Sequence, residues 1–281
     1  MMAMLIWYLL HALKQMLRKT ILITGGASGI GLEAARQFLT LGVKVIITGR
    51  NEEKLNAAKK LYPQLIAIKS DAGNEADAIS LFNQVQEIGG IDILFNNAGV
   101  GVPPLNLGIA NDKHLEGAVY EMEVNYLGII RLNNLFMEML QSRRESAIIN
   151  TTSILSIVPS LLEATYSASK TALAFYTKSL RKHLEIINSR VKVFELLPPL
   201  VATEMTLARN DKKISPEELV KALISGLEKD QYTIRVGDTK LVYLSFDCMA
   251  SFNRKGKSEK RSKNFHTGGF WWSGNHCHPT R

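Results

Sequence analysis

Tyr166 and Lys170 stand four residues apart in Tyr166-Ser-Ala-Ser-Lys170. On a helix that spacing puts both side chains on one face, about 6 Å apart at Cβ. A phenol with its ordinary pKa of about 10 is a poor acid–base group at neutral pH. A neighbouring ammonium stabilises phenolate and draws that pKa down. Ser153 lies upstream, just after the apolar run Ala147-Ile-Ile-Asn-Thr-Thr152. If the run is a strand and Tyr166 opens the next helix, Ser153 sits at the strand's carboxyl edge, where open α/β sheets bind ligands. A hydroxyl, a phenol and an ammonium then converge on one small polar group. The plainer alternative is an amphipathic helix with a surface lysine.

The elements that would position these groups alternate along the chain. Short apolar runs at Thr20–Thr24, Val43–Thr48, Leu65–Lys69, Ile91–Phe95, 147–152, 190–196 and Tyr232–Val236 read as strands. Between them, helical spacing predicts helices after Gly31 and over 51–61, 74–88, 165–187 and from Ser215 to about Lys229, with one long helix or a broken pair over 114–142. Ser215-Pro-Glu-Glu218 is a helix start, with Ser as cap, Pro first and acids in the first turn. The pattern implies βαβ units. The expected fold is a Rossmann-type doubly wound parallel α/β sheet of about seven strands in a single domain, roughly 20–250. An apolar then basic extension, 1–19, precedes it and a basic tail, 251–281, follows.

Gly25, Gly29 and Gly31 fall between the first strand and its helix. Backbone without Cβ can approach a pyrophosphate there, in front of a helix N-terminus. The spacing is G-x-x-x-G-x-G, and a tight structural turn would explain it as well. The second strand ends in Thr48-Gly49-Arg50-Asn51, without the acid that NAD-type folds use on the ribose. Arg50 reads as the one strong cation at that strand end, a planar fork suited to a 2′-phosphate. Asp71 follows the third strand and could accept from an adenine amine. Asn97 and Gly99 follow the fourth. One extended dinucleotide could lie along these strand ends.

Together, Thr24-Gly-Gly-Ala-Ser-Gly-Ile-Gly31, Asp71, Asn96-Asn-Ala-Gly99, Asn125, Ser153 and Tyr166-x-x-x-Lys170 resemble the short-chain dehydrogenase/reductase family, in the right order over about residues 20–236. The resemblance implies hydride transfer between a nicotinamide and a carbonyl or alcohol. Tyr166 would move the hydroxyl proton and Ser153 would hold the substrate carbonyl. Lys170 would hold the nicotinamide ribose and depress the tyrosine pKa, and Asn125 would hold a water linking Lys170 to solvent. Gly25, Ser28 and Ile30 would line phosphates and ribose, Asp71 and Ala72 the adenine, and Asn97 the ribose. Val201 and Thr203 would meet the carboxamide. Pro198-Pro199 departs from the family's Pro-Gly, and Pro199 lacks an N–H beside that contact. Glu195-Leu-Leu-Pro-Pro-Leu-Val and Ile214-Ser-Pro-Glu-Glu-Leu are similar to a bacterial subgroup encoded near teichoic-acid D-alanylation genes. The family also implies a homodimer or homotetramer. NADP(H) is the expected cofactor ahead of NAD(H), and a small carbonyl or alcohol the expected substrate. The alternative is a module that binds NADP(H) for redox sensing or scaffolding, with little turnover.

Charge and composition bound these readings. The 281 residues carry 34 Lys or Arg against 26 Asp or Glu, net +8. The excess sits at the ends: 254–281 holds seven Lys or Arg and one Glu, and 1–19 adds Lys14, Arg18 and Lys19. The nearly neutral body offers no nucleic-acid surface. Residues 1–13 are apolar but too few to span a bilayer, which takes about 20. They are an interfacial anchor, a packed extra helix, or sequence upstream of a true start at Met16. Weak membrane contact through them or through the basic tail is left open. Two cysteines, Cys248 and Cys277, build no disulfide framework, so a reducing, cytoplasmic setting is expected. His266, His276, Cys277 and His278 match no standard metal spacing, and no metal is expected.

Overall fold

A computed structural model describes residues 19–104 and 106–243. The readings made for 1–18 and for the tail beyond 243 lie outside the described residues. The chain divides after Lys240 into two units; the sheet and every helix named below belong to the first.

In chain order the elements are β1 (Thr20–Ile23), α1 (Gly29–Thr40), β2 (Lys44–Gly49), α2 (Glu52–Leu61), β3 (Ile66–Lys69), α3 (Glu75–Glu87) and β4 (Ile93–Asn96). Then come α4 (Lys113–Met122), a π-turn (Glu123–Leu127), α5 (Gly128–Ser142), β5 (Ser146–Thr151), α6 (Ala164–Ile186), β6 (Val191–Leu197), α7 (Pro216–Glu228) and β7 (Thr233–Arg235). The seven strands form one sheet in the order β3-β2-β1-β4-β5-β6-β7. Every pairing is parallel. This is the expected Rossmann-type doubly wound sheet.

The apolar runs do not alternate with polar residues because both faces of the sheet are buried. Ile21 and Ile23 face one cluster with Val45, Ile47, Phe95 and Ile149, covered by Ala34, Ala35 and Phe38 of α1 and by Leu219, Val220 and Leu223 of α7. Leu22, Ile46, Leu94 and Ile148 face the other, covered by Leu81 and Val85 of α3 and by Leu132, Phe136 and Leu140 of α5. The helix starts are chemically marked. Ser215 Oγ accepts from Glu218 N at 3.0 Å, with Pro216 as the first helical residue. Asn51 and Asn74 accept from Lys54 N and Asp77 N to cap α2 and α3.

Residues 113–142 are one unbroken helical run carrying a π-turn, neither a uniform helix nor a broken pair. Gly128 N bonds to Glu123 O, five residues back. The loop after β3 presses on the run at this point: a Cβ on Gly128 would lie 2.0 Å from the Ala72 carbonyl oxygen. Backbone cannot swing aside as a side chain can. Gly128→Ala is therefore expected to cost about 1–3 kcal/mol by overpacking, lowering Tm by roughly 3–10 °C. Gly49→Ala, whose nearest neighbour would be 3.8 Å away, should move Tm by less than about 2 °C. Equal Tm values for the two variants in thermal unfolding would contradict this account of the helical run.

Candidate active site

The strand order reverses between β1 and β4, and the crevice beyond their carboxyl ends is where such sheets take ligands. Thr24, 2% exposed, makes the joint. Its Oγ1 accepts from Asn97 N and Ala98 N, each at 3.0 Å, and Thr24 N donates to Phe95 O at 3.0 Å. Asn97 Nδ2 donates to Thr24 O and Gly25 O at 3.0 and 3.3 Å. Both Nδ2 hydrogens of Asn97 are thus engaged with the frame, which fixes the side chain at the mouth of the crevice.

From this joint a cleft of about 200 Å³ opens toward β2 and β3. Gly25 and Gly29 take φ of +63° and +52°, the left-handed region where glycine is unstrained. A Cβ on Gly31 would lie 2.3 Å from Gly25 O, so the turn closes only on glycine. The Ser28 side chain makes no capping bond at the start of α1, which leaves first-turn N–H groups of a twelve-residue helix without a side-chain partner. Ile30 packs against the apolar cluster behind the loop.

Arg50 stands on the far wall, half exposed. Its Nη1 donates to Tyr120 Oη at 2.5 Å and lies 3.8 Å from Asp71 Oδ2. Asp71 Oδ1 accepts from Gly73 N at 2.9 Å, and Ala72 lines the same cleft. Arg50 is not the only cation on this wall. Lys54, in the first turn of α2, lines it too and pairs with Glu204. Sequence reasoning missed Lys54 because it counted only the strand end, while a helix brings residue i+4 back beside residue i.

At the other end of the crevice β5 delivers Ser153 and α6 delivers Tyr166 and Lys170. Ser153 is buried, and its Oγ accepts from Leu155 N at 3.1 Å. Lys170 is 2% exposed; its ammonium donates to Thr151 O at 3.0 Å and lies 5.7 Å from the centre of the Tyr166 ring. Burial pulls the lysine down to about 8. Burial also pushes the half-buried Tyr166 phenol up, with the Glu163 and Glu121 carboxylates adding to the rise and a Ser153 hydrogen bond opposing it. The expected depression by Lys170 is therefore not found: the cation is itself desolvated and bound to a carbonyl.

Asn125, fully buried in the π-turn, fastens the loop beside these groups. Its Oδ1 accepts from Val100 N at 2.8 Å, and its Nδ2 donates to Val100 O at 2.9 Å and to Ser169 Oγ at 3.0 Å. Glu121, 1% exposed, accepts from Val102 N at 2.9 Å. The segment after β6 closes the other side. Val201 is buried and bridges to Ile214, making 202–213 a loop with joined ends. The Thr203 methyl carbon would lie 3.1 Å from a Cβ on Gly29. Arg209 of this loop pairs with Glu163, three residues before Tyr166. Glu121, Glu163 and Arg209 had no sequence signal, since each acts through a partner distant in the chain.

A parallel sheet with a glycine-lined crevice at its switch point defines a dinucleotide-binding α/β protein. Residues 19–214 match the family model described as short chain dehydrogenase. The chain is 33% identical over 227 residues, 78% of its own length and 88% of the relative's, to "Uncharacterized oxidoreductase DltE" of Bacillus subtilis. It is 27% identical over 241 residues, 79% and 91% of the two chains, to "NADP-dependent 3-hydroxy acid dehydrogenase" of Schizosaccharomyces pombe. A short chain dehydrogenase from Burkholderia cenocepacia, solved in complex with NADP, superposes with a TM-score of 0.73 at 28% identity, covering 84% of this chain and 96% of that one. The chain belongs to the short-chain dehydrogenase/reductase family of oxidoreductases. Among the described residues no helix is long and apolar enough to cross a membrane, and no group of three His, Cys, Asp or Glu could hold a metal ion.

The buried lysine carries a stability signature. Unfolded, Lys170 titrates near 10.5; folded, near 8. Between these values the unfolded chain binds the extra proton, so stability rises with pH. Tyr166, shifted upward, acts in the opposite sense only above its ordinary value of 10. Each pH unit of separation is worth about 1.4 kcal/mol, so the gain from pH 8 to 10 is on the order of 2–3 kcal/mol. Urea unfolding should show that rise in the parent and not in Lys170→Met. A rise of equal size in both would place its origin elsewhere.

Proposed function

We propose that this chain is an NADP(H)-dependent oxidoreductase that interconverts a small carbonyl compound and its alcohol, with Tyr166 as general acid and base. The observation that carries the reading is the meeting of Ser153, Tyr166 and Lys170 at the carboxyl edge of the sheet, at the end of a glycine-lined cleft. The cleft suits the adenosine end of a dinucleotide. Gly25, Ser28, Gly29, Ile30 and Gly31 form the phosphate turn. Asp71 and Ala72 would face the adenine, Asn97 and Gly99 the ribose, and Val201 and Thr203 the carboxamide. Arg50 favours the 2′-phosphate, and the wall from Thr48 to Asn51 holds no carboxylate to repel it.

The bound nicotinamide would supply or take the hydride. Ser153 would orient the substrate oxygen beside the phenol. Kept protonated by its surroundings, Tyr166 would donate its proton to that oxygen in reduction. Lys170, with a pKa lowered to about 8 by burial, would return a proton toward the phenolate, and Asn125 would hold the surrounding loop and a relay water. The fission-yeast relative's name puts hydroxy acids and their oxo forms among the first compounds to test, and a reducing cytoplasm suits the two cysteines. Tyr166→Phe should keep NADPH binding and lose at least about 100-fold in turnover across a panel of aldehydes, ketones, quinones and oxo acids. Arg50→Ala should weaken NADPH about tenfold and NADH little. NADPH binding with no turnover on any compound would favour a sensing or scaffolding module.

Assembly belongs to the same reading. Leu115 and Val119 on α4 and Phe175 on α6 are all more than half exposed, and the two helices pack against each other. We propose that they pair across a two-fold axis in a homodimer or homotetramer. Light scattering should give two or four times 31.3 kDa; a monomer at micromolar concentration would exclude it.

A further inference from the structure

We propose that Glu204 is a built-in competitor for the 2′-phosphate of NADP(H), holding Lys54 until the phosphate takes its place. Lys54 then acts with Arg50 as a second cofactor-selecting cation. The inference rests on reading the cleft as an NADP(H) site. Lys54 lines that cleft beside Ser28, Arg50 and Asn51. The two cations are turned differently. Arg50 faces the adenine end through Tyr120 and Asp71. Lys54 faces the other way, onto the Glu204 carboxylate.

Glu204 opens a short 3-10 turn, Glu204–Thr206, directly after Thr203. Thr203 itself lies against Gly29 of the phosphate turn. The ion pair thus joins α2 to the closing loop across the phosphate side of the cleft. Its side chains are 44% and 61% exposed. Such a pair is weak and screened by salt. A dianionic phosphate offers Lys54 more charge and more acceptor oxygens than one carboxylate does. NAD(H) carries no charge at that position and gives Lys54 no reason to leave Glu204. The carboxylate therefore lowers the affinity for NADP(H) alone and ties the closing loop to the group that tells the two cofactors apart.

The test is a fluorescence titration of NADPH and NADH, and a calorimetric titration of adenosine 2′,5′-bisphosphate and 5′-AMP, on the full chain. Glu204→Gln should tighten NADPH and the bisphosphate about two- to fivefold, the scale of one exposed ion pair. NADH and 5′-AMP should stay unchanged. Lys54→Met should weaken NADPH and the bisphosphate about tenfold and leave the other two alone. The gain from Glu204→Gln should shrink when Lys54 is already Met, because the competition needs both partners. An equal gain with and without Lys54, a gain shared by NADH and 5′-AMP, or no gain at all would overturn the inference while leaving the cofactor reading intact. Failure of the parent protein to bind either dinucleotide would overturn both.

Discussion

A lysine ammonium almost wholly out of water is the constraint around which this site is arranged. Taking Lys170 from solvent is costly, and the group answers by holding its proton less tightly. What compensates is sparse: one carbonyl, Thr151 O, and the nearby ring of Tyr166. Space for it depends on Gly99, where a Cβ would lie 3.3 Å from both Lys170 Nζ and Asn125 Oδ1. The loop bearing Gly99 is in turn held by Asn125, which engages both the N–H and the C=O of Val100. One buried charge therefore links β5, α6, the loop after β4 and the π-turn.

The opposite end of the crevice is built almost without charge. Backbone atoms, one hydroxyl and one side-chain amide make the joint between β1 and β4, with Thr24 Oγ1 accepting from Asn97 N and Ala98 N and Asn97 Nδ2 donating to two carbonyls. Glycine lets the following turn lie directly against Ala98 and Asn97. A surface of N–H groups results, rigid because its carbonyls are already used. Such a surface suits an anion of fixed shape, and it leaves discrimination between similar anions to the side chains on the far wall, Arg50 and Lys54.

Much of this was legible from residue order. Strand ends fell within about two residues of their observed places, because both faces of a parallel sheet are buried and the apolar runs are continuous. Ser215-Pro216 marked the start of α7, and the four-residue spacing of Tyr166 and Lys170 survived intact. The illegible part consists of long-range contacts. Nothing near Gly128 in sequence announces the Ala72 carbonyl, and nothing near Arg50 announces Tyr120. Lys54 looked like an ordinary solvated charge on a polar helix until Glu204 was brought to it from the far side of the cleft. The tyrosine's electrostatics went the other way from expectation for the same reason. Proximity of Lys170 was readable, but the burial of both groups and the approach of Glu163 and Glu121 were not.

Those two carboxylates bear on the direction of the proposed chemistry. Reduction of a carbonyl needs a proton at the oxygen, so the resting phenol must be protonated; oxidation of an alcohol needs a phenolate. Desolvation, Glu163 and Glu121 all favour the protonated phenol, and only the Ser153 hydrogen bond opposes them. Lys170, near 8, can take up and release a proton close to neutrality without an extreme environment to drive it. Arg209 draws charge from Glu163 by pairing with it, so the closing loop, by its position, sets how strongly that carboxylate acts on the phenol. On the proposed reading the protein at rest holds its proton where reduction would use it.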